Sequence, residues 1–213
     1  KYRDKPWVLF VSFVTPHFPL IAPPEYYYRY FDDPELPMPK LYAADKRPQH
    51  PFLRDYSDSF NYDDYCESDQ DVRRAVAGYF RLCSFMDEQV GKLLQGLRAC
   101  NLADNTRILY TSDHGDNLGA RGLWGKSTMY EESAGIPMIL AGEGIPQSCR
   151  VDEPVTLLDA YPFIMEAVGA GGPGSIDADH PGISLASVAR GVVPERPVIS
   201  EYHGMGSRTG AFM

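Results

Sequence analysis

The sequence predicts an α/β fold with a mostly parallel sheet flanked by helices. Three observations carry that prediction. Residues 7–14 read WVLFVSFV, a nearly continuous apolar, β-branched and aromatic run that suits a strand covered on both faces. From Asp69 to about Ala99, the residues Val72, Val76, Tyr79, Cys83, Met86, Val90, Leu93 and Leu97 recur by four and three, which is the apolar stripe of one long helix. Downstream, short apolar runs alternate with helical ones, the order that builds parallel sheets. The chain has 213 residues, 44% apolar and 23% charged, enough to bury a core without staples. A disordered tail, a collagenous chain and a disulfide mini-protein are excluded.

The elements follow in order. The first strand, Trp7 to Val14, ends at Thr15-Pro16-His17-Phe18-Pro19, where two prolines stop it. Residues 22–65, rich in Pro, Tyr and Asp, form a long irregular excursion with a short helix near Glu25–Tyr30. Excursions of this length usually carry function. Ser68-Asp69-Gln70-Asp71 supplies an N-cap and acidic residues for the first turn of the long helix. At 1.5 Å per residue that helix spans roughly 45 Å. Its stripe is expected to pack on the sheet, with Arg73, Arg74, Arg81 and Lys92 on a solvated face. Residues 106–111 (TRILYT), 135–142 (GIPMILAG) and 197–202 (PVISEY) read as three more strands. Residues 156–168 read as a helix in which Pro162 is tolerable only near the first turn. A glycine-rich break follows at 169–174, and no internal repeat appears.

Charge and cysteines narrow the partners. Twenty basic against 29 acidic residues leave a net charge of −9 with no Lys/Arg block, so no nucleic-acid partner is expected. The longest uncharged apolar run, residues 7–21, is too short and too polar to span a bilayer, so no membrane partner is expected. Cys66, Cys83, Cys100 and Cys149 form no CxxC or zinc-knuckle pattern and read as buried free thiols. No initiator Met or signal-like stretch opens the chain. Both ends read as cut, so residues 1–213 are expected to be one domain, incomplete at both ends, from a larger enzyme. The compartment is unassigned.

The densest polar constellation is Ser112-Asp113-His114-Gly115-Asp116-Asn117-Leu118-Gly119, directly after the strand TRILYT. Ligands of open α/β sheets bind outside the carboxyl ends of the strands. At such a turn a carboxylate and an imidazole can converge on one divalent ion. Asp, Asn and Gly are also ordinary turn formers. The continuation decides between these readings. The run TSDHGDNLGARGLWGKSTMYEESAGIPMILAG resembles the second metal-site segment of the sulfatase branch of the alkaline phosphatase superfamily. The likeness is closest to choline-sulfatase-like and phosphonate monoester hydrolase-like members. FVTPHFPLIAPPEY, RRAVAGYFRLCSFMDEQVGKLLQGL, TLLDAYPFIMEAVGA and HPGISL resemble further segments of that family, and together they cover nearly the whole chain.

The resemblance implies an alkaline-phosphatase-like fold, of which this chain is the second half of the catalytic domain. It places Asp113 and His114 at two metal-ligand positions, Lys126 where a lysine meets the anionic ester, and His17 where a histidine meets the substrate oxygens or the leaving group. A fixed ammonium offsets charge on an ester or leaving oxygen, and a histidine can donate a proton at neutral pH. His203 is a weaker substrate-binding candidate. Asp116 and Asn117 are expected to hold the loop. Trp124 packs over the site or in the core, and His50 and His180 are surface residues. The implied cofactors are a divalent metal, with Ca2+ the family default and Mn2+ or Mg2+ open, and a formylglycine made from Cys or Ser in a C/S-x-P/A-x-R motif. None of the four cysteines has that context, so the nucleophile is expected upstream of Lys1. The implied partner is a small-molecule sulfate or phosphonate ester, and a homo-oligomer is left open. Ala120-Arg121 departs from the family pattern, where an acidic residue or histidine is common, and this leaves the ester open. Phosphonate or phosphate monoester hydrolysis on the same scaffold, a non-catalytic ligand-binding relative, and a response-regulator-like domain are the alternatives.

Overall fold

The computed structural model describes residues 5–31, 33–170, 179–192, 196–203 and 211–212. Parts of the glycine-rich break and of the C-terminal run lie outside these. The chain packs as two compact units. One comprises Lys1–Ser12, Leu97–Asp113 and Pro137–Val198; the other comprises Phe13–Gly96, His114–Ile136 and Ile199–Met213.

In the first unit, β1 (Ile108–Thr111) and β2 (Met138–Ala141) form where the apolar runs place them. They pair antiparallel, with Ile108 opposite Ala141 and Thr111 opposite Met138. The described strand pairs are all antiparallel, and the expected parallel neighbours are not among them. A core of Ile145, Phe163, Leu185 and Ala186 forms, with Leu109, Met138, Leu140 and Ile164 against it. Phe163 belongs to α5 (Ala160–Ala167), and Leu185 and Ala186 to α6 (Leu185–Ala189). A capping box between Thr156 and Asp159 opens the turn into α5, and Pro162 falls in its first turn as expected. The fully buried Asp159 carboxylate accepts from the backbone N–H of Thr156 (2.9 Å) and Ile183 (2.8 Å) and from Arg196. Burial alone would raise its pKa; these donors outweigh burial and hold it below the ordinary range.

The first predicted strand does not form. Residues 7–14 are irregular, with Phe10 at 88% and Val14 at 80% exposure. A strand exists only as one rung-row of a ladder, and none of the described strands pairs with this run. The last predicted strand shrinks to β3 (Glu201–Tyr202), paired antiparallel with β4 (Ala211–Phe212).

The second unit is built around α3 (Asp69–Ala99), which matches its predicted bounds and whose last turn passes into the first unit. Ser68 caps it, accepting from the Asp71 N–H and donating to the Asp71 carboxylate. Its N-terminal half packs on the excursion rather than on a sheet. Val76 and Ala77 cluster with Leu36, and Tyr30, Leu118 and Trp124 close the cluster. Two of the four basic residues also turn inward. Arg73 donates to the Leu36 carbonyl, and Arg81, 7% exposed, lies under the rings of Tyr27 and Phe31 at 4.8 and 5.8 Å. A long aliphatic stem lets an arginine occupy a mostly apolar face in this way. Arg74 and Lys92 stay in solvent, paired with Asp71 and Glu88.

Among its described residues the excursion holds two α-helices and two 3-10 turns. The expected short one is α1 (Pro24–Tyr27); the other, α2 (Pro51–Ser59), was not foreseen. Pro51 stands at its first position, and the His50 imidazole accepts from the Phe52 N–H at 3.2 Å, so His50 is a helix cap rather than a bystander. His180 likewise accepts from the Gly182 N–H at 3.0 Å. All four cysteines are free, but only Cys66 and Cys83 are half-buried; Cys100 and Cys149 are exposed. Burial pushes the Cys83 thiol up to about 11. No helix among the described residues is long and apolar enough to cross a membrane.

Candidate active site

The site begins where β1 ends. Ser112 and Asp113 follow Thr111, and the Ser112 hydroxyl donates to the Asp113 carboxylate at 3.4 Å. Asp113 is exposed and ends one segment of the first unit, and His114 begins a segment of the second. Gly115 comes next, at a point where the chain approaches α4 (Glu131–Ala134) closely. Its N–H donates to the Ser133 carbonyl at 2.8 Å. A Cβ on residue 115 would lie 2.1 Å from the Glu132 carbonyl oxygen, so only glycine fits.

That approach fixes the His114 imidazole. Its Nδ1 lies 2.7 Å from the Gly115 carbonyl oxygen, and its Nε2 lies 2.7 Å from the Lys126 ammonium. A carbonyl only accepts and an ammonium only donates. The pattern therefore assigns the proton to Nδ1 and a lone pair to Nε2. The His17 ring stands edge-on to His114 with centroids 5.8 Å apart, its Nδ1 2.9 Å from the Phe18 carbonyl oxygen. His17, His114 and Lys126, distant in sequence, thus share one patch. His203 is exposed just after β3.

Lys126 is exposed, but its backbone is not free to wander. Asp116 accepts from the N–H of Leu118 (2.8 Å) and Gly125 (3.1 Å). The buried Asn117 side chain donates to the Gly125 carbonyl at 2.6 Å and accepts from the Thr128 hydroxyl at 2.9 Å. Ser133 donates to the Lys126 carbonyl. Asp116 and Asn117 therefore hold the loop, and Trp124 belongs to the core cluster around Leu36.

Sequence reading passed over Glu132 as a contributor. Its carboxylate takes Arg121 at 3.0 Å and Lys40 at 2.8 Å. Burial pushes its pKa up, but the hydrogen bonds from Lys40, the backbone and Arg121 prevail and hold it at about 2. The only sequence signal was a glutamate pair a few residues beyond Lys126.

For a divalent cation the donors are right in kind. Asp113 offers a carboxylate, and His114 offers a lone pair at Nε2 whose tautomer is set by a carbonyl behind it, the usual support of a metal-bound histidine. They are short in number: among the described residues, no three His, Cys, Asp or Glu side chains group as a metal site.

A family model described as Sulfatase matches residues 1–170. The chain belongs to the sulfatase family. The choline-sulfatase of Rhizobium meliloti (strain 1021) is 35% identical over 201 residues, covering 93% of this chain and 38% of that protein. The arylsulfatase K of Danio rerio is 29% identical over 148 residues, covering 68% and 28%. Among solved structures, the phosphonate monoester hydrolase of Silicibacter pomeroyi matches with a TM-score of 0.72 at 28% identity, covering 88% of this chain and 38% of that one. This sulfatase-family chain thus spans well under half the length of these relatives. The structural match carries the alkaline-phosphatase-like α/β class, of which the sheet described here is an open part. Sulfatase membership generally implies a divalent metal and a formylglycine.

Proposed function

We propose that this chain is the part of a sulfuric ester hydrolase that grips the ester's oxygens and its leaving group. The observation that carries the reading is the Lys126–His114 contact with His17 alongside. An ammonium and two imidazoles gathered in one patch form a site for a small oxyanion. Asp113 and the His114 Nε2 lone pair would hold a divalent cation, Ca2+ by family default, together with ligands from outside this chain. When bound, that cation polarises the ester and lowers the pKa of the nucleophile. The Lys126 ammonium, now 2.7 Å from His114 Nε2, would donate to a sulfuryl or leaving oxygen. His17, its Nδ1 engaged with the Phe18 carbonyl, keeps Nε2 to hold a proton for the departing alkoxide. The nucleophile is a formylglycine outside this chain, since no cysteine here lies in the modification motif. The substrate is a small-molecule sulfate ester.

Phosphonate monoester hydrolysis is the second reading, favoured by the structural match to such an enzyme. Sulfate and phosphonate monoesters offer similar oxygens to Lys126 and His17. The test assays the intact protein in parallel on 4-nitrophenyl sulfate and 4-nitrophenyl phenylphosphonate. Faster turnover of the sulfate, abolished by a chelator and lowered about 100-fold or more in Lys126→Ala, is expected. Faster turnover of the phosphonate moves the assignment to the second reading, and turnover of neither ester overturns both.

A further inference from the structure

We propose that Arg121 and Glu132 are positioning residues that set the spacing of the Lys126–His114 pair. This rests on the reading of that pair as ester-binding. The starting point is a conformational oddity. The turn from Leu118 to Gly122 carries positive φ at Gly119 (84°) and Gly122 (73°), where glycine is at ease, and also at Leu118 (45°) and Arg121 (59°). A left-handed backbone disfavours a residue with a Cβ, so the Arg121 side chain must return what its backbone gives up.

Its contacts show how. Arg121 is 7% exposed, and its guanidinium lies 3.5 Å from the centroid of the Tyr130 ring. It donates to one oxygen of Glu132 at 3.0 Å. Its backbone N–H donates to the Lys40 carbonyl at 2.8 Å, and the Lys40 ammonium lies 2.8 Å from the other Glu132 oxygen. One carboxylate is thereby clamped between two cations from two separate segments.

The clamped residue belongs to α4, a single turn of four residues that cannot hold its own place. From α4, two successive residues reach the reactive pair. The Glu132 carbonyl abuts Gly115, and the Ser133 carbonyl accepts the Gly115 N–H, directly after His114. The Ser133 hydroxyl donates to the Lys126 carbonyl. The Gly115 carbonyl in turn holds His114 Nδ1. The path runs from Arg121 and Lys40 through Glu132 to α4, and from α4 to the backbones of both His114 and Lys126.

The test places Arg121→Gly and Glu132→Gln in the intact protein, with Arg121→Lys and Glu132→Asp as conservative partners. Arg121→Gly removes the clamp while relieving the backbone, so loss of folding is not the default outcome. On 4-nitrophenyl sulfate, kcat is expected to fall about 10-fold or more with KM within about two-fold, while Tm falls by only a few degrees and stays above the assay temperature. The conservative variants should recover part of the loss. Unchanged kcat in both variants, or a kcat loss that follows Tm, overturns the proposal. If the unaltered protein turns over neither ester, the ester-binding reading fails separately. Hydrogen exchange then decides the positioning. Gly115 N–H protection should drop in both variants while α3 amides such as Val76 and Leu82 keep theirs; unchanged protection at Gly115 overturns it.

Discussion

Asn117→Asp, compared with Asn117→Ala, tests how the Lys126 loop is held. Asn117 is 1% exposed, and its amide bridges Gly125 and Thr128 from inside the loop. Truncation to alanine deletes two hydrogen bonds at about 0.5–1.5 kcal/mol each and strands the buried Thr128 hydroxyl. Adding the void left behind, the loss should reach about 2–4 kcal/mol. Aspartate keeps the volume but replaces the donor that faces the Gly125 carbonyl at 2.6 Å with a second acceptor. An ionised carboxyl there is buried against an oxygen, whereas a protonated one can donate again. Its folded-state pKa must therefore rise above the unfolded value of about 3.9. The penalty is full above the raised pKa and shrinks as pH falls toward the unfolded one. Urea unfolding of the chain, followed through tryptophan fluorescence, should show Asn117→Asp at least as damaging as Asn117→Ala at pH 8, with its deficit narrowing by pH 5.5. An Asn117→Asp variant within about 1 kcal/mol of the parent at pH 8, or a deficit that widens on acidification, refutes the reasoning.

Gly115→Ala forces a Cβ to within 2.1 Å of the Glu132 carbonyl oxygen. It should destabilise by about 3 kcal/mol, and calorimetry showing an unchanged Tm would contradict this. The Glu132 carboxyl, held at about 2 against an ordinary 4.5, contributes stability that is present above pH 4.5 and lost as pH falls toward 2. Because the side chain is a quarter exposed, that contribution is discounted to about 1–2 kcal/mol; Glu132→Gln should flatten this acid limb in pH-dependent unfolding. Asp159→Ala leaves Arg196 without its carboxylate in a buried site and should cost about 3–5 kcal/mol by urea unfolding. The purified 213-residue chain, supplied with Ca2+, Mn2+ or Mg2+, should not turn over 4-nitrophenyl sulfate, and detectable turnover would show that the chain holds a complete site.

How much was legible depends on how local each signal is. The stripe of α3 and its Ser68 cap are period and propensity within one segment, and the structure reproduces both. β1 and β2 were likewise written as short apolar runs between turn formers. The run Trp7 to Val14 carries the same kind of signal and forms no strand, because a strand depends on a neighbour that its own residues cannot supply. Arg81 was assigned to solvent by its charge, yet the rings of Tyr27 and Phe31, some fifty residues away, cover it. The cap made by His50 was missed because histidine is an uncommon N-cap.

By itself the sequence determined the family-like run around Asp113, His114 and Lys126, the long helix before it, and the absence of a formylglycine motif. These are statements about residue types at fixed spacings, which the chain carries wherever it folds. Tertiary structure alone decided that His17 stands beside His114, that the His114 tautomer presents Nε2 to Lys126, and that Ser133, next to a clamped glutamate on a one-turn helix, bonds the backbones of Gly115 and Lys126. Those are distances between residues far apart in the chain. They depend on how the loop closes, and loop closure is set by buried hydrogen bonds such as those of Asn117 rather than by any local periodicity.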